Sequence, residues 1–225
     1  MLKNLLTGAL VAGVASGLVA AALQFAFVIP LILEGELYET GARIHFGASS
    51  PQSPAGSPGL GGDWSRHLMT VTFDVVSYTA YALILTGLMA LAMRQGHGVD
   101  ARRGAVWGLA GFLAVQLAPA IGLPPELPGT IAGEVGPRQA WWTFAILATA
   151  VALWLFAFVP RAWAIGLGVI LVLAPHVIGA PHLDTYFGVA APELAAEFAT
   201  RSLGFAAMGW VVLGTIAGAM LGREA

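Results

Sequence analysis

Six long apolar runs, at 5–33, 68–93, 104–122, 139–159, 162–178 and 202–221, take up most of this 225-residue chain. Roughly 20 apolar residues in a helix cross the ~30 Å of bilayer hydrocarbon, and each run meets or approaches that length. Lipid offers no partners to backbone N–H and C=O groups, so such runs must be helical. The expected fold is an all-α polytopic membrane protein, a bundle of about six transmembrane helices. The count becomes five if the marginal run Ala162–Ile178 is re-entrant. The first run is longer than a crossing needs and is expected to tilt, or to break near Pro30.

Composition agrees. With 58% hydrophobic residues, 10% charged residues and a mean hydropathy of +0.80, the chain lies outside the range of soluble domains. No connection is long enough to hold a folded soluble module, so one transmembrane domain over 1–225 is expected. The tract at about 48–62, rich in serine, proline and glycine, cannot bury a core and reads as a flexible outer loop. The other connections are short, which predicts antiparallel helical hairpins.

The odd runs end in segments that contain Pro30, Pro119 and Pro175, and the even runs begin near Arg66, Arg138 and Arg201, a pattern of three repeated hairpins. Glycines four apart (Gly13 with Gly17, Gly104 with Gly108, Gly214 with Gly218 and Gly222) predict close helix packing, with homo-oligomer contacts as the alternative use. Trp141, Trp142 and Trp163 stand at run ends and read as interfacial belts.

Lysine and arginine set the orientation. With the N-terminus and C-terminus cytoplasmic, six basic residues (Lys3, Arg94, Arg102, Arg103, Arg161, Arg223) lie inside and four outside. On that topology ten of the twelve acidic residues lie outside, Asp74 included, against Asp100 and Glu224 inside; four of the five histidines are outside as well. A negative outer face concentrates cations. The plainer alternative is that translocated loops tolerate carboxylates.

Without cysteine, the chain has no thiolate metal site, disulfide or cysteine nucleophile. It lacks the G-x-x-x-x-G-K-[ST] phosphate loop, H-E-x-x-H and G-x-S-x-G, so no enzyme activity is expected. Its surroundings are the lipid bilayer, and no nucleic-acid partner is expected.

The chemistry-bearing residues gather near the outer run ends. His176 and His182, with Asp184, sit among Pro175, Gly179 and Pro181. Proline frees helix carbonyls, and imidazole suits Co²⁺, Ni²⁺ or Zn²⁺, although two interfacial histidines would read the same way. At the third run, Gln116 is followed by Pro119, Pro124, Pro125 and Glu126. Consecutive prolines force extended chain, which would aim Glu126 into a shared vestibule or simply make a rigid turn. Glu34, Glu36 and Glu39 form an outer acidic collar, or a set of solvated carboxylates.

Deeper in the chain, Asp74 lies about two turns inside the second run. A carboxylate there is costly unless paired or hydrated. It reads either as an ion pair with Arg66, His67 or Arg138, or as part of an ion pathway with Gln24 and Gln116. Each glutamine could equally make an interhelical hydrogen bond worth about 1 kcal/mol.

The segments VIPLILEGELYE at 28–39, QLAPAIGLPPELPG at 116–129, RQAWW at 138–142, LAPHVIGAPH at 173–182 and PELAAEFATRSL at 192–203 resemble the CbtA family of cobalt transporter subunits. The resemblance implies a bacterial inner-membrane protein that acts in cobalt uptake for cobalamin synthesis with a small, single-span, histidine-bearing CbtB-type subunit. On the matching motifs it points to Glu34, Gln116, Pro119, Glu126, His176 and His182. No cofactor is permanently bound in this reading, and Co²⁺ is the cargo. The alternatives are a nickel or zinc carrier, and a non-transporting scaffold whose glycine seams dock other subunits.

Overall fold

The computed structural model describes residues 2–45, 51–185 and 187–223. Among them the regular structure is helical throughout: α1 (Leu2–Phe27), α2 (Ile29–Glu39), α3 (Trp64–Arg94), α4 (Ala101–Phe112), a π-helical turn (Leu113–Leu117), α5 (Ala118–Gly122), α6 (Val135–Phe158), α7 (Ala162–Ile178) and α8 (Pro192–Gly222). Five segments are long and apolar enough to cross a membrane: α1, α3, Ala101–Gly122, α6 and α8. This is a multi-pass helical membrane protein.

The first apolar run is broken at Val28, two residues before Pro30. Proline cannot donate to the preceding turn and is tolerated in the first turn of a new helix, which is where α2 places it. Pro119 acts similarly on the third run. Its missing N–H and its ring disturb the turn before it, and that turn is the π-helical one, with Gln116 inside it. The last helix starts at Pro192, well before the expected 202. The apolar periodicity marked only its lipid-length portion and not the polar first turns.

The marginal run is α7. Its 17 residues reach about 26 Å, just short of the hydrocarbon thickness. It follows α6 after only Val159, Pro160 and Arg161, and near its far end the Trp141 Nε1 of α6 donates to the Pro175 carbonyl at 2.9 Å. α7 therefore lies antiparallel along α6 from Phe158 back to Trp141. α7 is one continuous helix over Ala162–Ile178, shorter than the five spans above.

The chain divides into two compact units. The first comprises α1 up to Ala26, Gly61–Phe112 and the chain from Gly204 onward. Its helices meet backbone to backbone. A Cβ added to Gly17 would stand 3.0 Å from the Asp74 carbonyl oxygen, and one on Gly13 2.9 Å from the Thr79 hydroxyl, so α1 lies directly on α3. On α4, Gly104 and Gly108 face Gly214, Gly218 and the Trp210 carbonyl of α8 in the same manner. These glycine seams are filled within the chain. Met89 and Leu213 are fully buried, and the buried Thr86 hydroxyl donates to the Ala82 carbonyl at 2.7 Å. Phe73, Ile84 and Val106 are exposed on the same helices, as lipid contact requires.

The second unit comprises Phe27–Leu60 and Leu113–Leu203. It holds α2, the π-helical turn, α5, the α6–α7 hairpin, the start of α8 and the segments that connect them. Of the serine-, proline- and glycine-rich tract, 48–50 lie outside the described residues. Ser53 and Gly56 are among the residues that anchor the remainder. Ser53 exchanges hydrogen bonds with the Ile44 backbone, 3.1 Å each way, and the Gly56 N–H donates to Glu34.

Candidate functional site

Within the second unit, three connections come together. Leu127 and Pro128 pack on Gly35 of α2, where an added Cβ would meet them at 3.2 and 3.4 Å. Gly129, at φ +80°, fits between Val189 and Glu39, a backbone conformation and a space that no side chain would share. Gly122 faces Ala180 and the Trp141 indole, and the nearest atom to Gly133 is the Pro181 carbonyl oxygen. The proline-rich segment 123–134, with Gly122 before it, thereby lies between the end of α2 and the residues Ala180, Pro181 and Val189.

The carboxylates there are engaged. Glu34 is only 6% exposed, and its Oε1 accepts from Arg43 Nη1 at 2.8 Å and from the Gly56 N–H at 2.9 Å. A buried carboxylate is stable only when so compensated. Glu126 accepts from Arg138 Nη2 at 2.8 Å at a more open position. Each glutamate thus already has a guanidinium where a metal ion would sit. Of the collar residues, Glu36 is half-buried and Glu39 is exposed beside Gly129.

The two histidines differ. His182 is exposed. His176 is half-buried, its ring edge-on to Trp141 at a centroid distance of 6.0 Å, and its Nε2 is buried without a hydrogen-bond partner. Because Pro175 has no N–H, the Leu171 carbonyl one turn earlier also loses its helical donor. Among the described residues no three histidine, aspartate or glutamate side chains gather into a group able to hold a metal. His176, His182, Glu126 and Glu34 share a unit without forming a coordination sphere.

Asp74 and Gln24 belong to the first unit, and Gln116 to the second. Asp74 is 7% exposed, its Oδ2 lacks a hydrogen-bond partner, and no ion pair reaches it among the described residues. The ion-pair reading of Asp74 is therefore corrected: Arg138 serves Glu126, and His67 Nε2 lies 3.3 Å from the Gly61 carbonyl. Gln24 Oε1 is buried and unpartnered as well. Gln116 is half-buried within the π-helical turn.

Trp141 is the residue that the sequence reading misplaced. It is 6% exposed and pinned between Gly122, Pro175 and His176, whereas Trp142 at 43% and Trp163 at 60% are the ones that fit an interfacial belt. The signal was in the doublet itself. Consecutive helical residues point about 100° apart, so two adjacent tryptophans cannot both face lipid squarely.

The arrangement offers one exposed imidazole and one half-buried imidazole beside the proline in the last turn of α7, with Glu34 and Glu126 each paired to an arginine. No curated protein matches the chain, and no solved structure does. A family model described as "Probable cobalt transporter subunit (CbtA)" matches residues 2–222. That match covers nearly the whole of this multi-pass helical chain, which therefore belongs to the CbtA family of probable cobalt transporter subunits.

Proposed function

We propose that the chain takes up a divalent transition metal ion, Co²⁺ for cobalamin synthesis, across the bacterial inner membrane, with both termini cytoplasmic. Family membership supports the reading. The structural observation that carries it is His176, whose buried Nε2 has no partner and which follows Pro175 in the last turn of α7. A neutral imidazole nitrogen of this kind is a suitable donor for Co²⁺.

In this reading the exposed Glu39 and the neighbouring Glu36 draw cations to the mouth. Glu126 and His182 make the first contacts, Glu126 by exchanging Arg138 for the metal. His176 then takes the ion from the mouth, and Glu34 serves only if Arg43 releases it. Cobalt uptake into proteoliposomes tests this. His176→Ala is expected to lower uptake at least tenfold and His182→Ala by less. Unchanged uptake in the double variant would remove the site assignment.

A second reading has its own support. Since the described residues hold no three-donor group, the missing donors would come from a small single-span CbtB-type subunit, and this chain would act as its membrane scaffold. Uptake that appears only on co-expression with that partner would favour it. Competition with Ni²⁺ and Zn²⁺ decides the cargo.

A further inference from the structure

Asp74 stands ten residues beyond the start of α3, about 15 Å along a spanning helix. At Gly17 the backbone of α1 lies against the Asp74 carbonyl and the Val75 backbone, and Asp74 is 7% exposed. One turn further on, the Tyr78 hydroxyl fills the space left by Gly209 of α8, and Tyr81 stacks on Trp210 at 4.7 Å. Within this unit the side-chain atoms Ser16 Oγ, Gln24 Oε1, Asp74 Oδ2 and Trp210 Nε1 are all buried without hydrogen-bond partners. So many unsatisfied polar atoms in one apolar bundle call for an explanation.

No neighbouring charge supplies one. α1 has no titratable side chain between Lys3 and Phe27, α8 none between Gly204 and Leu221, and α4 none between Gly104 and Phe112. On α3 itself the titratable neighbours are Tyr78 and Tyr81 on one side and Arg66 and His67 two turns away on the other. A bare carboxylate in such a place is very costly, and a neutral acid is not. The acid form also adds an O–H donor to a carboxyl that otherwise only accepts. A divalent ion would need several oxygen or nitrogen ligands, and the described residues gather no three such acidic or imidazole groups.

We propose that Asp74 is the proton-binding site of this protein, and that its proton is exchanged as the metal passes, so that metal movement is proton-coupled. The coupling rests on the uptake reading above; proton binding at Asp74 does not.

The test uses the full chain in liposomes and dicyclohexylcarbodiimide, an apolar electrophile that takes the proton of a carboxylic acid in apolar surroundings and is then attacked by the carboxylate oxygen, leaving an acylurea adduct. Peptide mass spectrometry is expected to find the adduct on Asp74, with a rate that falls roughly tenfold per pH unit once the proton is lost. Asp74→Asn should remove the adduct. Absence of label on Asp74, or a rate constant from about pH 5.5 to 8.5, would overturn the assignment. A pH dye sealed in the same liposomes then reads coupling. An imposed Co²⁺ gradient should move protons with wild-type protein and at least tenfold fewer with Asp74→Asn.

Cobalt movement by the wild type without proton movement overturns coupling while leaving transport standing. A labelled Asp74 in wild-type protein that moves no cobalt overturns the uptake reading and the coupling, and leaves the proton site. Both decisive readings come from the wild type, so a poorly folded variant does not obscure the result.

Discussion

The indole N–H of Trp141 donates to the carbonyl of Pro175, 2.9 Å away, and so ties the first turns of α6 to the interrupted end of α7. The same carbonyl accepts from the Gly179 N–H at 3.0 Å, where Gly179 at φ +87° ends the helix. Trp141→Phe keeps a ring in place and removes the donor. The expected cost is about 1 kcal/mol, read as a lower melting temperature in detergent. Since the His176 ring rests edge-on against this indole, the apparent KM for Co²⁺ should rise as well. Trp142→Phe, at a lipid-exposed position, should change neither quantity.

Glu34 and Arg43 predict an ordered series. Arg43→Ala strands a buried carboxylate and should destabilise by about 3–5 kcal/mol. Glu34→Gln keeps the shape and should cost less. The double variant should be more stable than Arg43→Ala alone, because no charge remains uncompensated. Denaturation in mixed micelles measures all three. Glu34→Ala, which also removes the acceptor for the Gly56 N–H, should in addition speed proteolysis within 51–62.

Gly104 and Gly87 make a matched pair. A methyl group on Gly104 collides with the Gly214 carbonyl oxygen, whereas one on Gly87 meets nothing within 4 Å. Gly104→Ala should lose about 1–3 kcal/mol. Gly87→Ala should be neutral or gain up to about 1 kcal/mol from helix propensity. Monodispersity and melting in detergent separate the two.

Arg138 holds Glu126 at a partly open position, so the pair is worth no more than about 1 kcal/mol to stability. Arg138→Ala should leave melting nearly unchanged. If Glu126 meets incoming metal, the variant should raise uptake severalfold at low Co²⁺ concentration, because the carboxylate no longer has to exchange a partner. Unchanged uptake would take Glu126 off the route.

The helices were legible because lipid leaves apolar sequence few choices. Run lengths located the spans, and Pro30 announced the break at Val28, since the lost N–H is a local property of proline; the π-helical turn before Pro119 was not foreseen. The site was legible only as a set of residue types. That Arg138 would take Glu126, and Arg43 would take Glu34, depends on contacts between residues 12 and 9 apart in sequence, which periodicity does not encode. Trp141 was misread because tryptophan at a span end has two uses, and only the neighbouring Gly122 and Pro175 choose between them.

The seam between α4 and α8 limits how this sequence can drift. At Gly104, Gly108 and Gly214 the opposing atoms are main-chain carbonyls and Cα atoms rather than side chains. A larger residue there cannot be compensated by trimming its neighbour, because the neighbour has nothing left to trim. Genetic suppressors of a substitution at these positions must shift a whole helix axis, or else restore glycine itself.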